Sequence, residues 1–165
     1  MPPTVIVQQS RAIPVTVSDA FSDTLSLPLP TLFRHRHGPI PPVKAVRDQA
    51  GDWGTAGQTR TVVLSDGGSM REELTAVDAP TAFRYRLTDI KGPLAPLLSH
   101  VEGEWLFSPA GTGTEVTWRW IMHPRSAFGR LAVIGFARLW RGYATKALAE
   151  LSDQLLSARQ HRRAR

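Results

Sequence analysis

Few stretches of this chain have the residue types that do chemistry. Arg34-His35-Arg36-His37 sets two imidazoles two positions apart, a spacing that can grip a metal ion. The flanking arginines repel a cation and no carboxylate lies nearby in sequence, so a basic loop at a cavity mouth is the expected role. His100, Glu102 and Glu104 alternate on a strand pattern and share one face, which reads as a solvated outer surface. His123, before Pro124, reads as a strand-end residue. Gly111-Thr112-Gly113-Thr114 lies between two strand patterns, where a hairpin turn explains it better than a phosphate loop. There is no Gly-x-Ser-x-Gly nucleophile motif. The absence of cysteine excludes thiol catalysis, disulfides and thiolate zinc sites. The remaining chemistry is carried by Arg60, Glu72 and Tyr85 among aromatic residues, the few polar groups that an otherwise apolar ligand pocket needs. No metal and no cofactor is expected.

The elements that must position these groups follow from periodicity and breakers. Residues 4–12 read as a strand, and Ser18-Asp19 as the capped start of a short helix, stopped by Pro28 and Pro30. A second short turn is expected over 31–35, a Gly-Pro loop over 38–42, and a strand from Val43 to Asp48. Strands are then expected over 58–64, 70–77, 82–88, 100–108 and 114–123, separated by turn-forming residues. After Pro124 the period becomes helical. Phe128, Leu131, Leu139, Trp140, Tyr143, Ala147, Leu148, Leu151 and Leu155 recur at threes and fours through about Ser157. Gly129, Gly135 and Gly142 weaken that helix by about 1 kcal/mol each relative to alanine. One face of it must bury, and the antiparallel sheet is the available partner.

Alternation assigns the sheet faces. Phe83, Tyr85 and Leu87 oppose Arg84, Arg86 and Thr88. Val101, Gly103, Trp105 and Phe107 oppose His100, Glu102 and Glu104. Val116, Trp118, Trp120 and Met122 oppose Glu115, Thr117 and Arg119. One face is apolar and aromatic, the other charged, as in a sheet covered on one side. The turn at Asp66-Gly67-Gly68 permits two registers. A two-residue turn pairs Arg60 with Glu73; a three-residue loop segregates polarity better and is chosen. That register places Arg60, Val62, Leu64, Met70, Glu72, Leu74 and Ala76 on the apolar side, with Arg60 and Glu72 as diagonal neighbours. Such charges require mutual neutralisation, hydration or a ligand. Three tryptophans on a sheet under one glycine-bearing helix leave room for a cavity. Its expected ligand-binding set is Arg60, Val62, Glu72, Leu74, Phe83, Tyr85, Trp105, Phe107, Trp118, Trp120, Trp140 and Tyr143.

The net charge of +6 has a location. Residues 1–125 balance, whereas 126–165 carry the excess, with Arg159, Arg162, Arg163 and Arg165 in the last seven. The division expected is one domain over 1–158 and a frayed or disordered basic tail over 159–165. Hydrophobic content of 42% supports a packed core. No apolar run is long enough to span a membrane, and the amino terminus has no secretory pattern, so a cytoplasmic protein is expected.

Several phrases carry a family resemblance. They are Gly57-Gln58-Thr59-Arg60 leading to Leu64-Ser65-Asp66-Gly67-Gly68, then 71–78 (Arg-Glu-Glu-Leu-Thr-Ala-Val-Asp), Tyr85-Arg86-Leu87, Glu104-Trp105-Leu106-Phe107 and 113–118 (Gly-Thr-Glu-Val-Thr-Trp). Over roughly 4–157 the chain resembles the START-like (SRPBCC, Bet v 1-like) superfamily, more closely its polyketide cyclase/dehydrase and lipid-transport group. The resemblance implies an α+β helix-grip fold. A curved antiparallel sheet of about seven strands would wrap a long C-terminal helix, with two short helices after strand 1 and an apolar chamber between. Cyclases of this type resemble each other in cavity Arg, Tyr, Trp and His groups; here Arg60, Glu72 and Tyr85 are the nearest matches by position, and no histidine falls on the inner face.

Three functions are carried forward. The first is binding, transport or sequestration of a small hydrophobic ligand, lipid-like or aromatic polyketide-like, with Arg60 and Tyr85 orienting a carbonyl or carboxylate. The second is a cyclase or dehydratase, with Glu72 as base and Arg60 stabilising an enolate. The third is a non-catalytic interaction or stress-response module using the basic tail. No nucleic-acid partner is expected, and a homodimer is left open.

Overall fold

The computed structural model describes residues 2–165. In chain order the elements are β1 (Val5–Ile13), α1 (Val17–Ser26), α2 (Leu29–Leu32), β2 (Val43–Arg47), β3 (Thr59–Leu64), β4 (Ser69–Asp78), β5 (Ala82–Lys91), β6 (Leu98–Ala110), β7 (Gly113–Pro124) and α3 (Ala127–Arg163). The strands form one antiparallel sheet in the order β1-β7-β6-β5-β4-β3-β2. The first two strands in sequence are thus the two sheet edges, and α1 and α2 carry the chain from one edge to the other. Irregularities in pairing near Ala45, Leu74 and Ser99 interrupt the ladder. Such bulges bend strands, consistent with a sheet that curves around α3. This is the helix-grip fold expected from sequence.

Local chemistry sets the helix ends. Thr16 caps α1, its Oγ1 accepting from the Asp19 amide at 3.1 Å, so the cap lies before the Ser18-Asp19 pair expected for it. The second helix occupies Leu29–Leu32 rather than 31–35. Pro30 sits in its first turn, where a missing N–H removes no helical bond. Ser126 caps α3, accepting from the Gly129 amide at 2.9 Å.

The stripe that α3 buries is narrower than the sequence pattern. Val133, Ala137, Trp140, Ala144, Leu148, Leu151 and Leu155 face the sheet, but Phe128 is 88% and Leu131 68% exposed, and Leu139 is also exposed. At about 100° per residue, Leu131 lies roughly opposite Trp140 on the helix and so points to solvent. The helix also runs through 159–163, where a frayed tail was expected. Arg162 reaches Asp19 at 3.2 Å and Asp23 at 2.9 Å on α1, and Arg159 donates to the Pro14 carbonyl at 2.6 Å. Two of the tail's four arginines are therefore engaged within the chain. Among the described residues, no helix is long and apolar enough to cross a membrane.

The three-residue hairpin register is the one formed, and it pairs Arg60 with Glu72 directly rather than diagonally. The outer face carries a charged ladder in which Glu104 accepts from Arg84 at 2.8 Å and Arg119 at 3.2 Å. Such exposed pairs contribute about 1 kcal/mol or less; the fold depends on the other face. Leu151→Ala should cost about 2–5 kcal/mol in urea unfolding, whereas Phe128→Ala should stay within about 0.5 kcal/mol. Equal effects would show that the buried stripe is misassigned.

Candidate functional site

Between the concave sheet, α3 and the α1–α2 segment lies a chamber of about 230 Å³. Its wall is mostly apolar. Exposed Pro39, Asp66, Lys91 and Pro93 also belong to the lining, so the chamber reaches the surface between the hairpin turn after β3 and the loop after β5. For scale, a dry cavity of about 150 Å³ accepts benzene, so a molecule of two fused rings matches the space here.

Most of the expected set is brought together. Arg60, Val62, Glu72, Phe83, Tyr85, Trp105, Trp118, Trp120, Trp140 and Tyr143 all line the chamber. Leu74 and Phe107 do not; both are buried in packed core instead. Phe107 is taken up by Phe21 of α1 and by Phe83, with ring centroids 5.5 Å and 6.0 Å away. Alternation assigns these two by face, and a face does not say whether the space above it is filled by protein. Nor does it reveal the wall built by connecting segments: Leu32 and Phe33, Ile40 and Pro41, Trp53, and Leu94. Trp53 had a signal, a large aromatic residue in an otherwise polar Gly51-Asp52-Trp53-Gly54 loop.

Tyr85 is the hub of the aromatic wall. Its hydroxyl accepts from Trp118 Nε1 at 2.8 Å and Trp120 Nε1 at 2.9 Å. Both acceptor positions of the phenol oxygen are thereby used, and its own proton has no acceptor among the described residues. The ring lies across Gly103 of β6, where an added Cβ would overlap it. Trp118 packs in turn on Trp105 at 5.4 Å, Trp140 at 4.5 Å and Phe33 at 4.9 Å. Burial raises the Tyr85 phenol above its ordinary range, the Glu72 charge adds to this, and the two indole bonds oppose it. Tyr85 is thus a neutral hydrogen-bond donor at any physiological pH.

Arg60 and Glu72 are 6% and 5% exposed and form one neutralised unit. Arg60 Nε donates to Glu72 Oε1 at 2.6 Å, another guanidinium nitrogen to Gln49 Oε1 at 3.3 Å, and the Trp53 ring lies 3.8 Å beneath. A guanidinium so engaged is a poor anchor for a ligand carboxylate. Burial pushes the Glu72 carboxyl up from its usual range, with the Arg60 charge and hydrogen bond pulling it back. Two further buried polar atoms in the wall, Trp140 Nε1 and Thr24 Oγ1, have no hydrogen-bond partner among the described residues. Native interiors rarely leave such groups unpaired. No histidine is among the described lining residues. His35 and His37 lie outside the chamber: His35 contacts Glu150 at 3.2 Å, a carboxylate distant in sequence, and His37 rests on Gly142, where a Cβ would overlap it. Gly142 thus gives up helix propensity so that the loop can seat on α3.

Gly103→Ala should displace the Tyr85 ring, lowering stability by about 1–3 kcal/mol and shifting tryptophan emission. Tyr85→Phe should cost about 1–3 kcal/mol by leaving two buried indole N–H groups unpaired. Chemical unfolding and emission spectra read both; unchanged emission in both variants would refute the hub.

No curated protein sequence matches this chain. Solved structures share its fold. TTHA0849 from Thermus thermophilus superposes with a TM-score of 0.67 at 20% identity, covering 93% of this chain and 99% of that one. Ara h 8.0201 gives 0.64 at 16% identity, covering 93% and 99%. DynU16, described as a putative protein in the dynemicin biosynthetic locus, gives 0.64 at 14% identity, covering 93% of this chain and 48% of that one. The sequence model of the polyketide cyclase/dehydrase and lipid-transport family matches residues 4–155, and the chain, with its sheet-gripped helix and aromatic chamber, belongs to that family.

Proposed function

We propose that the chamber binds a small, flat, electrically neutral molecule that presents a carbonyl or similar acceptor to Tyr85 and Trp140. One observation carries this reading: the wall offers donors without acceptors. The Tyr85 proton and the Trp140 Nε1 proton both lack protein partners, while the cationic group, Arg60, is already neutralised by Glu72. A carboxylate drawn to the same depth would meet Glu72 and find no free cation. The aromatic wall favours a ring system, and each buried Å² of apolar ligand surface contributes about 25 cal/mol. An aromatic ketone is thereby preferred over a fatty acid. Family membership supports a hydrophobic guest without naming it.

A second reading is favoured by the state of Glu72. Its carboxyl is buried, its proton affinity is raised, and it lines the chamber beside Tyr85. A carbonyl held by the Tyr85 proton would have its α-hydrogen made more acidic. Glu72 would accept that proton while Tyr85 stabilises the enolate. This is the cyclase or dehydratase alternative, with Arg60 setting the charge of the base rather than touching substrate. Turnover of a poly-β-ketone unchanged in Glu72→Gln would reject it.

Tryptophan quenching by 1-tetralone, its hydrocarbon analogue tetralin and octanoate separates the binding alternatives. Tetralone should bind more tightly than tetralin, and Trp140→Phe should remove most of that difference, about two- to twelvefold for one hydrogen bond of 0.5–1.5 kcal/mol. Octanoate binding more tightly than tetralone would overturn the neutral-acceptor reading.

A further inference from the structure

The reverse side of the sheet carries a group of side chains that ligand binding in the chamber does not use. We propose that His100, Glu102 and His123 form a site for a divalent transition-metal ion of the zinc type. His100 and His123 are register partners on β6 and β7, and Glu102 lies two positions along β6 on the same face. The two imidazoles stack with centroids 3.9 Å apart and planes within 15°. One ligating atom from each of the three residues lies within 4.8 Å of the others. Bonds of about 2.0–2.2 Å to a tetrahedral ion need ligand separations of roughly 3.4 Å, so the three side chains have to draw together to close on an ion.

The surrounding hydrogen bonds already orient the ligands. Ser99 Oγ donates to the His123 carbonyl at 3.2 Å and contacts His100 Nδ1 at 2.9 Å. With its proton on that carbonyl, the hydroxyl must accept from His100 Nδ1–H. His100 Nε2 then carries a free lone pair, the arrangement that metal-bound histidines obtain from an outer partner. His123 Nε2 sits 3.1 Å from Glu102 Oε2, so an ion would replace the proton bridging them. Neighbouring Glu104 is different: two arginines occupy it. All three proposed ligands are partly exposed, leaving an approach and room for water in the remaining coordination positions. Arg86, opposite Glu102 on β5, is the nearby cation that opposes binding. Both bridged strands carry chamber tryptophans on their other face, so an ion here would brace the chamber's rear wall.

Equilibrium dialysis with zinc, and visible absorption after loading with cobalt(II), test the site on the full chain. One zinc per chain is expected, with proton NMR shifts at His100 and His123 in the unmodified protein. His100→Ala and His123→Ala should each weaken binding at least tenfold with far-UV circular dichroism unchanged. Ser99→Ala should weaken it by about tenfold through loss of orientation, and Arg86→Gln should tighten it severalfold. The His35→Ala/His37→Ala double variant should bind normally. No zinc uptake by the unmodified chain, or uptake undiminished in His100→Ala/His123→Ala, would overturn the proposal.

Discussion

A tyrosine hydroxyl that accepts from two indoles at once constrains the concave face of this protein. Tyr85 comes from β5, Trp118 and Trp120 from β7, and the strand between them, β6, contributes Gly103. Only a glycine at that position lets the ring lie flat across the intervening strand. The two hydrogen bonds thus tie β5 to β7 through side chains that reach across β6, in addition to the backbone ladders. They also orient the tryptophans on which α3 packs through Trp140. Chamber shape, helix position and the direction of the remaining phenol proton all descend from this arrangement.

The proposed function rests on what the arrangement leaves unsatisfied. A protein interior normally pairs its polar groups, because a buried donor without an acceptor costs about 1–3 kcal/mol. Here residues that carry unpaired polar atoms line a space large enough for a small guest, and the buried charges are paired with each other. The interior is therefore polarised without carrying net charge. That combination is suited to a carbonyl, whose oxygen accepts hydrogen bonds and whose body is apolar. It also leaves Glu72, whose carboxyl is pushed up by burial, lining the same chamber as Tyr85, which connects the proposed binding and enzymatic readings to the same few atoms.

Strand faces were legible because a period of two leaves little freedom where one face is charged and the other aromatic. The inward pair Arg60 and Glu72 followed from choosing the hairpin register that segregates polarity best, although their direct opposition did not. The α3 stripe was only partly legible. Phe128 and Leu131 are three apart and share a face with each other, but at about 100° per residue that face lies on the far side of the helix from Val133, Ala137 and Trp140. The contacts of the basic end were not legible either: Arg159 and Arg162 look solvated in sequence, and their partners at Pro14, Asp19 and Asp23 are distant in the chain.

The order of elements, the polarity of each strand face, the α+β class and the chemical character of the interior were set by the sequence alone, since local periodicity and turn chemistry are properties of neighbouring residues. Three matters were decided only by tertiary structure. These are which inward residues meet empty space rather than packed side chains, which connecting segments complete the wall, and which polar atoms are left without partners. Leu74, Phe107, Trp53 and Trp140 illustrate them. Each depends on contacts between segments far apart in the chain, and packing is resolved by the volume that all of them together fill.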